Sequence, residues 1–111
     1  MAKAPSSFLN GVPELLVLQL LAQRERYGYE LVQAVREASG AAFNFGEGCI
    51  YPYLHYLEEG KLVTGRRATV EGRTRLYYRL TAKGQKRLAE LIGEWKRVAQ
   101  GVSLALGGAH A

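Results

Sequence analysis

The chain has 111 residues, with 15 Lys plus Arg against 10 acids and a formal charge of +5. About 100–150 residues make one domain around one core, and 48% hydrophobic with 23% charged residues excludes a disordered tail. Cys49 is the sole cysteine, which excludes an intrachain disulfide and a metal site of paired cysteines.

Met1–Ser7 is small and polar and is expected to fray. From Val12 to Gln23 apolar residues crowd nearly every position, so a helix buried on more than one side is expected. The apolar run Leu15–Ala22 lies behind Pro13 and Glu14 with only Lys3 before it, unlike a secretory signal. Gln23–Arg26 reads as a polar turn with Gly28 permitting a bend. Tyr29–Ser39 then sets Leu31, Val32, Val35 and Ala38 at helical spacing, and Gly40 is a natural stop. Gly46-Glu47-Gly48 opens a third helix in which Ile50, Leu54 and Leu57 form the apolar stripe; Gly60 ends it.

Leu62–Thr69 and Arg73–Leu80 flank Val70-Glu71-Gly72 and predict a β-hairpin. The second strand alternates: Leu76, Tyr78 and Leu80 share one face, while Arg73, Arg75, Tyr77 and Arg79 share the other. Arg66 and Arg67 on the first strand face opposite ways, so one of them is expected to be structural. Thr81 caps a helix running to about Leu106, with a stripe of Leu88, Leu91, Ile92, Trp95, Val98, Ala99 and Val102. Such a helix spans roughly 39 Å at about 1.5 Å per residue, whereas a domain of this size has a radius of gyration of about 13 Å. Its far end therefore wants a partner, and the simplest is a second copy of the chain. A homodimer follows, with Leu15 and Leu18 of the first helix and Leu91, Trp95, Val98 and Val102 of the last at its interface.

The fold class expected is mainly α with a small β-hairpin (α+β): a winged helix-turn-helix over residues 1–80, a dimerisation helix over 81–106 and a loose tail over 107–111. In such folds the second helix of the pair reads the major groove with its N-terminal residues. That places Gly48, Cys49, Tyr51, Pro52 and His55 toward the bases, with Arg73 and Arg75 of the wing on phosphate and Arg66 as a further DNA contact. Charge agrees. Lys61, Arg66, Arg67, Arg73, Arg75, Arg79, Lys83, Lys86 and Arg87 face only four acids between Gly46 and Arg87, and the remainder of the chain is balanced. Clustered cations attract a polyanion.

Four pieces in order resemble the PadR family of bacterial transcriptional regulators. They are Leu15-Leu16-Val17-Leu18 with Tyr27-Gly28-Tyr29-Glu30, and Gly48-Cys49-Ile50-Tyr51-Pro52-Tyr53-Leu54 running on to Leu57-Glu58-Glu59. The others are Gly72-Arg73-Thr74-Arg75-Leu76-Tyr77-Tyr78-Arg79-Leu80-Thr81 with Gly84, and Trp95. The resemblance covers about Leu9 to Val102. It implies a dimeric repressor of a two-fold-related operator, joined through its first and last helices; some short members bind flat aromatic or drug-like compounds at the dimer interface. The chain departs from the family at Gly46 (usually Ser), Cys49 (usually Thr), Tyr56 (usually basic) and Lys61, where the helix-ending glycine normally falls.

Each candidate also has a plainer role. Tyr51 contacts phosphate or packs under the neighbouring helix; His55 touches the backbone or is incidental; Cys49 is a redox switch or an inert replacement of Thr. Trp95 is core packing, or walls a pocket for a flat aromatic effector. No Asp is present, His110 lies in the tail, and no catalytic or metal-ligand spacing occurs, so neither an enzyme nor a cofactor is expected. The longest uncharged stretch, Val98–Ala111, is short of the roughly 18–20 apolar residues of a membrane span. A cytoplasmic protein without a membrane partner is expected. The rival function is a winged-helix adaptor whose basic face binds an acidic protein.

Overall fold

The computed structural model describes residues 11–108. Met1–Ser7 and most of the expected tail, 107–111, lie outside the described residues. Among these residues the chain runs α1 (Val12–Gln23), β1 (Arg26–Tyr27), α2 (Gly28–Ala38), α3 (Glu47–Glu59), β2 (Val63–Val70), β3 (Arg73–Leu80) and α4 (Ala82–Ala105). The mainly α architecture with a small sheet is the one the sequence predicts.

Because α1 is apolar nearly all round, it can pack on several sides at once, and it contacts α2, α3, β3 and α4. Val17 and Leu18 are fully buried and Leu20 and Leu21 almost so; Leu31 and Val35 of α2, and Ile50, Leu54 and Leu57 of α3, close around them. Each such side chain contributes about 1.5–3 kcal/mol by leaving water. The same packing corrects one expectation. Leu18 has no exposed surface left to offer a second chain, and Leu91, 9% exposed, belongs to this core as well.

The sheet has the order β1-β3-β2, all antiparallel. β1 takes over the last residue of the expected polar turn: Arg26 pairs with Tyr78 and Tyr27 with Tyr77. The hairpin is shifted by one residue from expectation, since Val70 pairs with Arg73 and leaves a two-residue loop, Glu71-Gly72. Both loop residues take positive φ, 52° and 77°, the turn whose twist matches that of paired strands.

Two junctions fix the helices. After α3, Gly60 keeps an ordinary φ of −78° and Lys61 takes the left-handed conformation at 63°, with the Leu62 amide donating to the Leu57 carbonyl. α3 thus ends at Gly60 as the sequence predicts, while the left-handed turn that follows falls on Lys61, a residue with a β-carbon. At α4 the Thr81 hydroxyl accepts from the Gly84 amide at 3.0 Å and itself donates to the Lys61 carbonyl at 2.8 Å. A β-carbon on Gly84 would collide with the Leu62 carbonyl oxygen, so only glycine lets α4 start this close to β2. One turn on, the Arg87 guanidinium meets the nearly buried Glu14 carboxylate of α1 at 3.2 Å and ties α4 to the body. That ion pair raises the Arg87 pKa further.

Candidate nucleic-acid interface

The N-terminal half of α3 sorts its candidates by burial. Gly48, Pro52 and His55 are exposed, at spacings of four and three, so they share one outward face. Proline lacks the N–H that would bond the Gly48 carbonyl one turn back, so that helical hydrogen bond is not made. Gly46 caps α3 without a side-chain bond, as the missing hydroxyl predicts. Cys49 is half-buried, and burial pushes its thiol pKa up. A helix N-terminus favours thiolate, but here desolvation dominates, and the inert reading of Cys49 fits better than a redox switch.

Tyr51 serves the packing role. Its ring lies so close to Gly28 that a β-carbon there would overlap ring carbon Cε1. Bare backbone at the first residue of α2 therefore seats α3 against α2, a physical reason for pairing Gly28 with Tyr51. Burial, and after it the negative charge of Glu47, pushes the Tyr51 phenol pKa up.

The wing brings its cations to the same side. Tyr27, Gly28, Tyr29, Tyr51, His55, Arg73, Arg75, Leu76 and Tyr78 line an open cleft of about 560 Å³ between α3, the start of α2 and β3. Arg73 is exposed at the hairpin end of the cleft, and Arg75 is half-buried with its guanidinium carbon 4.2 Å from the centre of the Tyr27 ring. Thus Tyr51, His55, Arg73 and Arg75, read from distant parts of the sequence, converge.

Arg66 does not join them. Its guanidinium edge is engaged by Glu25 through Nε to Oε2 at 2.8 Å and Nη2 to Oε1 at 2.6 Å, and it lies 5.9 Å from the Tyr77 ring centre. The hydrogen bond from Arg66, and then its charge, lower the Glu25 pKa. Arg66 is therefore the structural member of the Arg66–Arg67 pair. Arg67 is exposed too, as are Thr69 and Val70 further along the strand, so both arginines reach solvent.

On α4 the remaining candidates stand clear. Trp95, Val98 and Val102 are 54%, 57% and 52% exposed, with Leu104 and Leu106 beyond them, while Leu15 of α1 is half-buried.

Residues 17–90 match the model of the transcriptional regulator PadR-like family. The chain belongs to this family. A PadR-like transcriptional regulator from Bacillus cereus superposes with a TM-score of 0.81 at 34% identity, covering 92% of this chain and 98% of that one. A Streptococcus transcriptional regulator gives 0.82 at 36%, covering 93% and 100%. In sequence, uncharacterized protein X of Lysinibacillus sphaericus is 30% identical over 104 residues, 93% of this chain and 95% of its own. PadR-like regulators are non-enzymatic DNA-binding proteins, and this chain is a transcriptional regulator of that kind. Among the described residues no helix is long and apolar enough to cross a membrane.

Proposed function

We propose that this PadR-like regulator acts as a homodimeric repressor, inserting the exposed face of α3 into the major groove while Arg73 and Arg75 of the wing neutralise the flanking phosphates. The observation that carries the reading is the shared cleft, where the α3 residues Tyr51 and His55 meet both wing arginines. A groove helix and a guanidinium pair side by side suit a duplex, whose backbone borders the groove being read. The apolar stripe Trp95, Val98 and Val102 supports the dimer, since a second copy would remove it from water.

Selection of bound fragments from genomic DNA tests the function. Specific fragments should emerge, binding should weaken with salt at a slope of about −0.9 per phosphate neutralised, and Arg73→Ala should flatten it by about one unit. A reporter behind a selected fragment should be silenced when the protein is made. Absence of any fragment preferred over bulk duplex, with salt-insensitive capture of an acidic protein, would establish the adaptor role instead.

The half-exposed indole of Trp95 favours a second element, a flat aromatic effector stacked between Trp95 and its symmetry mate. Planar cationic dyes should quench Trp95 fluorescence and release the duplex; unchanged emission at saturating dye removes the effector from the proposal.

A further inference from the structure

Arg66 and Arg75 sit on the same outward face of the sheet and each lies over a tyrosine, yet their guanidiniums are held in different ways. A guanidinium carries all its N–H donors in its plane and interacts with an aromatic ring through its face. At Arg66 one edge of the guanidinium, Nε and Nη2, is held in a two-point ion pair by Glu25. At Arg75 the contact is the Tyr27 ring, centred 4.2 Å away, and among the described residues no carboxylate or carbonyl takes its donors. Tyr27 is itself fixed: it pairs with Tyr77 across β1 and β3, and the two rings meet edge to face at 5.4 Å and 80°. Its amide is held by the Glu30 carboxylate at 3.0 Å. Arg66 lies over the far member of this pair, so Glu25, Arg66, Tyr77, Tyr27 and Arg75 form one chain of contacts across the sheet.

We infer that Tyr27 is a positioning residue for DNA binding: its ring holds the Arg75 guanidinium at the cleft facing α3, leaving the in-plane donors free for a backbone phosphate. The short strand β1, which makes only two pairings, has a function in this account because it delivers that ring. The inference rests on the proposed wing contact to DNA. A side chain already immobilised loses less conformational freedom on binding than a free arginine would.

The test uses the full chain and a labelled pool of random-sequence duplexes of about 30 base pairs, since phosphate contact is independent of sequence. Tyr27→Leu should weaken binding about fivefold, the effect expected of one cation–aromatic contact, and Tyr27→Phe, which keeps the ring, should restore it. In an Arg75→Ala background Tyr27→Leu should cost nothing further, whereas a purely structural role would weaken both backgrounds alike. Equal losses in both, or full affinity in Tyr27→Leu when Arg75→Ala binds weakly, would overturn the inference while leaving the wing contact intact. Full affinity in both Arg73→Ala and Arg75→Ala would refute the wing contact itself and the inference with it. Arg66→Ala, whose charge is already paired with Glu25, should leave the salt slope unchanged.

Discussion

The body of the winged domain and the outer half of α4 are built on opposite terms. Around α1 the core side chains find their partners within the chain, and Val17, Leu18, Leu31, Ile50 and Leu57 are sealed from water. Along α4 that closure ends abruptly: Leu88 and Leu91 are buried, while Trp95, Val98 and Val102, on the same helical stripe, are more than half exposed. One helix thus serves as core at its start and as unpaired surface at its end. The body buries its apolar groups against one another, whereas the far half of α4 leaves a stripe of them in water.

Mutations should separate the two regions. Leu18→Ala should cost about 2–5 kcal/mol, the penalty of a cavity in a tight core, read from chemical denaturation at matched protein concentration. Val98→Lys combined with Val102→Lys should instead leave a folded monomer, erase the concentration dependence of the thermal midpoint, and weaken duplex binding about a hundredfold as two linked contacts become one. If that double variant remains a dimer, the exposed stripe is not the seam.

Smaller effects probe the joints of the body. Lys61→Gly should stabilise by about 1 kcal/mol, because glycine takes a left-handed conformation without the clash a β-carbon brings; a loss of stability would mean that the lysine side chain contributes more than its backbone strain costs. The Glu25–Arg66 pair should show a faint acid dependence. The Glu25 pKa is lowered by folding, so its stabilisation is complete above the ordinary value of 4.5 and fades as pH falls through the depressed one. Glu25→Gln should remove that window from the pH profile. Arg66 is exposed and Glu25 only half-buried, so the pair is a minor contributor to stability.

How far the fold was legible depends on the range of the interaction. The helices, the hairpin and the Thr81 cap follow from periodicity and local chemistry, and α1 begins and ends where the apolar pattern does. β1 was not legible: two residues carry no period, and what makes them a strand is Tyr77, fifty positions later. The ion pair that withdraws Arg66 is equally distant, its partner lying 41 residues back in the chain. For α1 the difficulty was different. Apolar side chains on all sides give no stripe to orient it, so Leu18 was as plausible an interface residue as Leu15. On the candidate site, Arg73, His55, Gly48 and Pro52 are exposed, which leaves them available for the contacts that the helix-turn-helix order suggests. The packing of Tyr51 on Gly28 required knowing that α2 and α3 meet there.

Sedimentation of the protein on a genomic fragment that it selects tests the central claim most directly, because it counts chains per duplex. Two chains at saturation are predicted. A single chain bound per site, at an affinity unchanged by Val98→Lys with Val102→Lys, would contradict the account.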